Sequence, residues 1–393
     1  MISAMTTRRM TVAIGFTQTL AWATTFYVPA TMVGVASADL GVSPTILLGG
    51  FSLALLVTGL LSPWVGRRID RLGGRGVLAM SSVVTALGLC LMAAVPHVVG
   101  WYAAWVLVGV GMAMGLYDAA FGTVGRLLGA GAKPSIVGVT LMAGFASTIG
   151  WPAGTWLAAH VGWRVALGGY ALLHVLVLLP IILIFVPTAE PVELVEKRDV
   201  AAAAPVAPRA FFLLATYFTL RAAINAVVMV HALTILGGMG FSAAAAVWAA
   251  TLIGPAQVGS RVIDWFFGRD LNPMVTGVVS AVLVPVAVVA LLVGLPAAAF
   301  TLLYGLSNGI LTISRGTLPL HVFGPEGYAA RIGRLAMPAL LASAVAPTLV
   351  APMIAAWPMP WVIAAVGAVS LLATGCLLAL AFVTKIRNDV FRA

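Results

Sequence analysis

From Thr11 to Ala36 the chain carries no charged side chain. About 20 consecutive apolar residues suffice to cross a bilayer as a helix. The pattern repeats along the whole chain. Spans are expected near Thr11–Val35, Thr45–Val65, Val77–Val95, Trp101–Gly125, Ile136–Ala159 and Val165–Val186. A second set is expected near Ala210–Leu236, Ala243–Phe266, Met274–Leu292, Ala298–Leu318, Ile332–Ala355 and Trp361–Val383. Lipid leaves backbone polar groups unsatisfied, so only helices and closed barrels span it, and runs this long exclude barrel strands. Of the 393 residues, 62% are hydrophobic and 8% charged, against roughly a quarter charged in soluble domains. A soluble enzyme, a nucleic-acid binder and a disordered chain are excluded. The expectation is an all-α membrane protein of twelve transmembrane helices. The Ala36-Ser37-Ala38 triplet resembles a signal cleavage site, but the preceding apolar run is too long for a signal core.

The cations fall between the spans. Arg8/Arg9, Arg67/Arg68/Arg71/Arg75, Arg126/Lys133, Lys197/Arg198/Arg209, Arg261/Arg269, Arg331/Arg334 and Lys385/Arg387/Arg392 occupy alternate connections, and Arg164 alone lies on the other side. Lys and Arg accumulate on the cytoplasmic side. Both termini are therefore expected in the cytoplasm, in a plasma (bacterial inner) membrane. Trp101, Trp105, Trp163, Trp357 and Trp361 sit at expected outer boundaries, as an interfacial aromatic belt would. Pro187–Arg209 is the one long polar stretch and divides the helices six and six. It reads as a cytoplasmic linker between bundles at 1–186 and 210–393. Ile69-Asp70 matches Ile263-Asp264, and Gly111, Gly115 and Gly122-Thr123 match Gly305, Gly309 and Gly316-Thr317, at an offset near 194. A shift of six spans keeps orientation, so the halves read as parallel repeats. Cys90 and Cys376 both lie in apolar runs and imply neither a disulfide framework nor a metal site.

After the second span comes Gly66-Arg67-Arg68-Ile69-Asp70-Arg71-Leu72-Gly73-Gly74-Arg75. Its order of Gly, Asp and basic residues, in this loop, resembles the loop signature of the major facilitator superfamily. The resemblance covers the whole chain and implies two six-helix bundles rocking around a central site, with helices 1, 4, 7 and 10 as the cavity walls. It makes Gly66, Asp70, Arg71 and Arg75 a gating loop. From the residues themselves, Gly66 permits close helix approach, and Asp70 is suited to pair with arginines or face a helix N-terminus. Gly150-Trp151-Pro152-Ala153-Gly154 is similar to the Gly/Pro motif of the antiporter branch, interrupted by Trp151.

Ionisable side chains inside spans are costly and mark candidate functional sites. Three stand out: Asp118, Arg221 and Arg315. Helical periodicity extends them into stripes: Gly111, Gly115, Asp118 and Gly122; Tyr217, Arg221, Asn225 and Val228; Asn308, Thr312 and Arg315. Gln18, Trp22 and Thr25 share a face of the first span. At 1.5 Å per residue, Arg221 lies roughly 16 Å from the inner start of its helix, near the midplane. Asp118 is expected as the proton carrier and Arg315 as its switchable partner, because burial favours the protonated acid and a nearby cation the carboxylate. A static Asp118–Arg315 pair is the competing reading. Arg221 is expected to attract the cargo, with Asn225, Asn308, Tyr117, Gln18 and Trp22 lining the site. His174 reads as a hydrogen-bonded packing residue, Arg261 and Asp264 as snorkelling or latching groups, and Pro152, Pro285, Pro338 and Pro347 as gating kinks or marks of helix packing.

The expected function is proton-coupled secondary transport of a small organic solute, an anion such as a carboxylate, by alternating access. The runner-up is a proton-driven efflux antiporter for amphipathic compounds. No nucleophile or metal constellation suggests an enzyme. The expected partners are a small-molecule substrate, protons and the lipid bilayer. No cofactor and no nucleic acid are expected, and the chain is expected to act as a monomer.

Overall fold

The computed structural model describes residues 3–189, 208–268 and 271–390, and over 385–390 the backbone alone. Most of the expected linker, with Lys197 and Arg198, and also Arg269 and the side chains of Lys385, Arg387 and Arg392, lie outside the described residues. Every described element is helical. In order they are α1 (Ala4–Thr24), α2 (Val28–Leu40), α3 (Pro44–Leu72), α4 (Arg75–Ala94), α5 (Val98–Gly115), α6 (Tyr117–Leu128), α7 (Lys133–Ala143), α8 (Ala146–His160), α9 (Trp163–Leu173) and α10 (Leu179–Phe185). Then come α11 (Pro208–Gly238), α12 (Ala243–Thr251), α13 (Ile253–Phe267), α14 (Pro273–Leu292), α15 (Ala297–Phe323), α16 (Tyr328–Ala356) and α17 (Met359–Val390). A π-helical turn, His174–Leu178, joins α9 to α10.

The local chemistry explains where helices start and stop. Ser43 and Ser242 accept a backbone N–H from their own first turns, and Asn272 does the same ahead of Pro273. Gly41 ends α2 in the left-handed region at φ 64°, where a β-carbon is strained. Among the described residues, nine segments are long and apolar enough to cross a membrane, and one of them, 98–160, holds two of the expected spans. The expected first and eighth spans lie outside that set, and each is divided by a break. Three irregularities sit about one turn before a proline: the α1–α2 break before Pro29, the π turn before Pro180, and the α12–α13 break before Pro255. A proline removes the N–H that would bond four residues back and its ring crowds that carbonyl. By contrast, α14 runs through Pro285, α8 through Pro152, and α16 through Pro338, Pro347 and Pro352. The helices at these prolines are unbroken.

The chain forms two compact units. The first comprises the helices up to α10 together with Pro325–Met337; the second comprises α11–α15 with α16 from Pro338 onward and α17. In the first unit, Gly109 of α5 meets Ala54 of α3 closely enough that a β-carbon would lie 2.7 Å from the Ala54 carbonyl oxygen. Thr58 donates to the Gly109 carbonyl across the same contact. Gly150 and Gly154 of α8 abut Ala23 and Thr31, so the Gly/Pro segment packs on α1 and α2. In the second unit, Ile224, Val228, Ile235, Val284, Phe300 and Ile363 belong to one core. Large apolar side chains such as Ile184, Phe212, Val230, Leu349 and Phe382 point outward, as a lipid-facing surface requires.

The aromatic belt is corrected. Trp101, Trp105 and Trp163 are buried inside the first unit, and Trp101 donates to the Leu47 carbonyl at 2.9 Å. Trp357 and Trp361 are exposed. The buried three have partners for their rings (Trp101–Trp105 6.2 Å, Trp101–Trp163 5.8 Å), and packing of that kind outweighs the interfacial preference.

Candidate functional site

The second unit contains a polar cluster within apolar helices. Four-residue spacing on unbroken α11 aligns Tyr217, Arg221 and Asn225. Arg221 is 1% exposed. Its Nη2 donates to Ser307 Oγ at 2.7 Å, while Nε and Nη1 have no hydrogen-bond partner among the described residues. The Tyr217 hydroxyl lies beside the guanidinium and Ser280 without a hydrogen bond of good geometry. Ser307 and Ser280 exchange hydrogen bonds, each hydroxyl donating to the other's backbone carbonyl at 2.6 and 2.8 Å. Asn225 Oδ1 accepts from Tyr304 Oη at 2.9 Å and from the Asn308 amide. Thr312 donates to the Asn308 carbonyl and accepts from Arg261 at 3.2 Å. Arg221, Asn225 and Asn308 are thus brought into one neighbourhood. Tyr304, Ser307 and Ser280 complete it and were missed by the sequence reading. Tyr304 had a signal, since it stands one turn from Asn308 on the same face; Ser280, on another helix, had none. Arg261 and Asp264 are buried rather than snorkelling: each is under a tenth exposed.

In the first unit, Gln18, Trp22 and Tyr117 come together. The chain between α5 and α6 leaves helical geometry at Leu116, and Gln18 Nε2 donates to the Gly115 carbonyl there at 2.5 Å. Trp22 packs on Tyr117 and Phe26, both at 4.9 Å between ring centroids. Tyr117 stacks on Phe121 at 5.1 Å. Gln18 Oε1 and Trp22 Nε1 are buried without partners among the described residues. Thr25 lies beyond the end of α1 and so leaves the expected face.

Asp70, near the end of α3, accepts the Ala329 and Ala330 amides on separate carboxylate oxygens at 3.1 and 2.7 Å. These N–H groups belong to the first turn of α16, where four amides lack intrahelical partners and the dipole favours an anion. Of the two options read from the sequence, Asp70 faces the helix N-terminus. Arg126 Nε donates to its backbone carbonyl at 3.1 Å. A β-carbon on Gly66 would collide with the Ala329 carbonyl, and one on Gly333 with that of Ser62. Arg71 is exposed and Arg75 half-buried.

The stripe drawn through Asp118 is corrected. The Leu116 break resets the helical register, so Gly111 and Gly115 face Thr85 and Ser81 of α4, while Gly122 faces Ala329 and Ile69. Asp118 is half-buried in the first turn of α6. It lines a crevice with Ser62, Gly66, Ala119, Ala329 and Gly333, about 180 Å³ in empty volume but too narrow to hold a water molecule. Arg315 is half-buried on α15 of the second unit.

The first unit also holds two contacts whose partners the sequence does not name. Asp39 and Arg164 form an ion pair, with Trp163 Nε1 donating to the same carboxylate at 3.3 Å. Thr24, at the end of α1, bonds His174 Nε2 at 2.8 Å, which makes His174 a hydrogen-bonded packing residue.

A sequence profile described as Major Facilitator Superfamily matches residues 12–331. No curated protein sequence matches significantly. Among solved structures, the human organic anion transporter MFSD10 (TETRAN) is similar, with a TM-score of 0.77, 16% identity, and coverage of 94% of this chain and 99% of that one. The proton:xylose symporter XylE, bound to 6-bromo-6-deoxy-D-glucose, is similar with a TM-score of 0.69, 13% identity and 95% coverage of each chain.

Proposed function

This chain belongs to the major facilitator superfamily of membrane transporters, and from that premise we propose that it is a proton-coupled carrier of a small organic anion. The observation that supports this reading is Arg221. Arg221 is buried at 1% exposure with two guanidinium nitrogens unpartnered among the described residues, and it carries a penalty of several kcal/mol that an anionic ligand would offset. Asn225, Asn308 and Tyr304 supply neutral hydrogen-bonding groups beside it, suited to orienting a carboxylate-bearing solute. That one structurally similar protein carries organic anions and another couples sugar to protons agrees with this reading.

In this proposal Asp118 of the first unit is the proton carrier, and Arg315 of the second is the other proton-coupling residue. The half-buried position of Asp118 in the crevice beside Ser62, Gly66 and Gly333 supports the assignment. Asp70, Gly66, Arg71 and Arg75 form the gating loop, and Gln18, Trp22 and Tyr117 contribute to the substrate wall. The protein works as a monomer in a bacterial inner membrane with both termini in the cytoplasm, two bundles flanking the 187–209 linker.

The test is carboxylate binding and uptake in proteoliposomes. Arg221→Gln is expected to weaken carboxylate binding at least tenfold, a loss of 1.4 kcal/mol or more. Asp118→Asn is expected to keep binding and lose substrate-driven proton movement. Unchanged carboxylate affinity in Arg221→Gln refutes the anion site, and proton movement persisting in Asp118→Asn refutes the carrier role.

A further inference from the structure

One exposed face of α3 passes from apolar to cationic along its length. Leu60, Trp64, Arg67, Arg68 and Arg71 recur at three- and four-residue intervals, which sets them on one side of the helix. All five are exposed, Leu60 by 62% and Trp64 by 46%. The other side is covered within the same unit: Ile69 is buried, and Gly66 meets the Ala329 backbone. Arg68 lies over the Trp64 ring, 5.5 Å from its centroid, so the ring marks the junction of the two halves. None of the three arginines has a hydrogen bond or an ion pair among the described residues. The one acid of α3, Asp70, already gives its carboxylate oxygens to the Ala329 and Ala330 amides.

We infer that this face of α3 is a docking surface for an anionic phospholipid, its phosphate held among Arg67, Arg68 and Arg71 and an acyl chain lying along Leu60 and Trp64. Charge complementarity names the occupant. Like charges within one helical turn repel one another, and an anion among them removes the repulsion. The guanidinium fork matches phosphate oxygens in pairs. The apolar half requires that the anion carry a hydrocarbon chain, and a tryptophan at the junction suits the level of the headgroups. A zwitterionic lipid brings its own ammonium among the arginines and gains less. The surface is independent of the proposed cargo site.

The experiment measures, by native mass spectrometry in neutral detergent, binding of phosphatidylglycerol and of phosphatidylcholine with the same acyl chains to the purified full chain. Wild type is expected to bind phosphatidylglycerol about tenfold more tightly or better. Arg67→Gln and Arg68→Gln spare Arg71 of the proposed gating loop. Each should weaken phosphatidylglycerol about fivefold and leave phosphatidylcholine unchanged, which also reports an intact fold. Trp64→Leu keeps an apolar contact but loses the ring, and about a two- to fivefold loss is expected. Arg8→Gln combined with Arg9→Gln removes exposed charge from α1 and should leave phosphatidylglycerol affinity unchanged. Glycerol 3-phosphate in large excess should not displace the lipid. Equal affinity for the two lipids overturns the inference, as does unchanged phosphatidylglycerol affinity in Arg67→Gln and Arg68→Gln. So does an Arg8/Arg9 variant weakened as much as those two, which would mean diffuse charge rather than a site. Displacement by glycerol 3-phosphate, which would mean a free phosphate, overturns it too.

Discussion

Removing the Asp70 carboxylate should loosen the first turn of α16 and leave the rest of that unit ordered. The side chain accepts two amides, from Ala329 and Ala330, with one carboxylate oxygen each. Hydrogen bonds to a charged group contribute about 1.5 to 3 kcal/mol apiece. Taking the low end for a group near a helix end, Asp70→Ala forfeits about 3 kcal/mol, and local opening of that turn becomes about a hundredfold more frequent. Asp70→Asn keeps one acceptor oxygen and loses the charge, so about half the free energy and about a tenfold effect are expected. Hydrogen exchange of the full chain in detergent, followed in peptides covering 326–332, reads this directly. Exchange should accelerate in the order wild type, Asn, Ala, with peptides from α4 and α5 unchanged. If Asp70→Ala exchanges over 326–332 at the wild-type rate, the carboxylate does not hold that helix start and the capping argument is wrong.

Three further outcomes follow from the same geometry. Gly66→Ala should accelerate exchange over the same segment and cost about 1 to 3 kcal/mol, because its β-carbon would meet the Ala329 backbone, which has no rotamer to escape into; an Ala variant as stable as wild type refutes the close contact. Asp39 is held below its ordinary value of 3.8 first by the hydrogen bond from Arg164 and then by that cation's charge, so its contribution is complete above that value and is lost as pH falls through the lowered folded pKa. The difference in thermal stability between wild type and Asp39→Asn should therefore be present at neutral pH and close only in acid below the ordinary carboxylate range; a difference that does not change with pH refutes the assignment. Thr24→Val should cost about 1 kcal/mol by leaving His174 Nε2 unpaired at the end of α1, measured as a lowered thermal midpoint that His174→Phe does not lower further in the double variant.

Apolar periodicity located the long apolar helices because burying or lipid-facing apolar surface is a property of long windows, and a window survives local irregularity. What it could not locate were the breaks. The prolines read as kinks or packing marks lie where the surrounding helix continues regardless, as at Pro285 and Pro347. The irregularities precede Pro29, Pro180 and Pro255, and a proline disturbs the turn before it rather than its own position. The repeat shows the same limit. Gly111 and Gly305 share an offset, yet Gly111 meets Thr85 of α4 and Gly305 meets Ala256 and Ile253 of α13. A glycine records that something comes close; which helix comes close depends on packing that no offset encodes.

For the site, legibility depended on whether the helix carrying a stripe is continuous. On α11 it is, and Tyr217, Arg221 and Asn225 were correctly placed on one face by spacing alone. On the α5–α6 pair it is not: Leu116 leaves helical geometry, and spacing counted through it put Asp118 in line with glycines that face elsewhere. The break has its own consequence, which a continuous helix would have hidden. It frees the Gly115 carbonyl, Gln18 Nε2 occupies that carbonyl, and the amide is thereby oriented with its oxygen unpaired. One lost helical hydrogen bond thus creates both the local disorder of the stripe and the oriented acceptor beside Trp22. Restoring helix through 116 would release Gln18 from Gly115 and remove that acceptor without touching any residue of the wall.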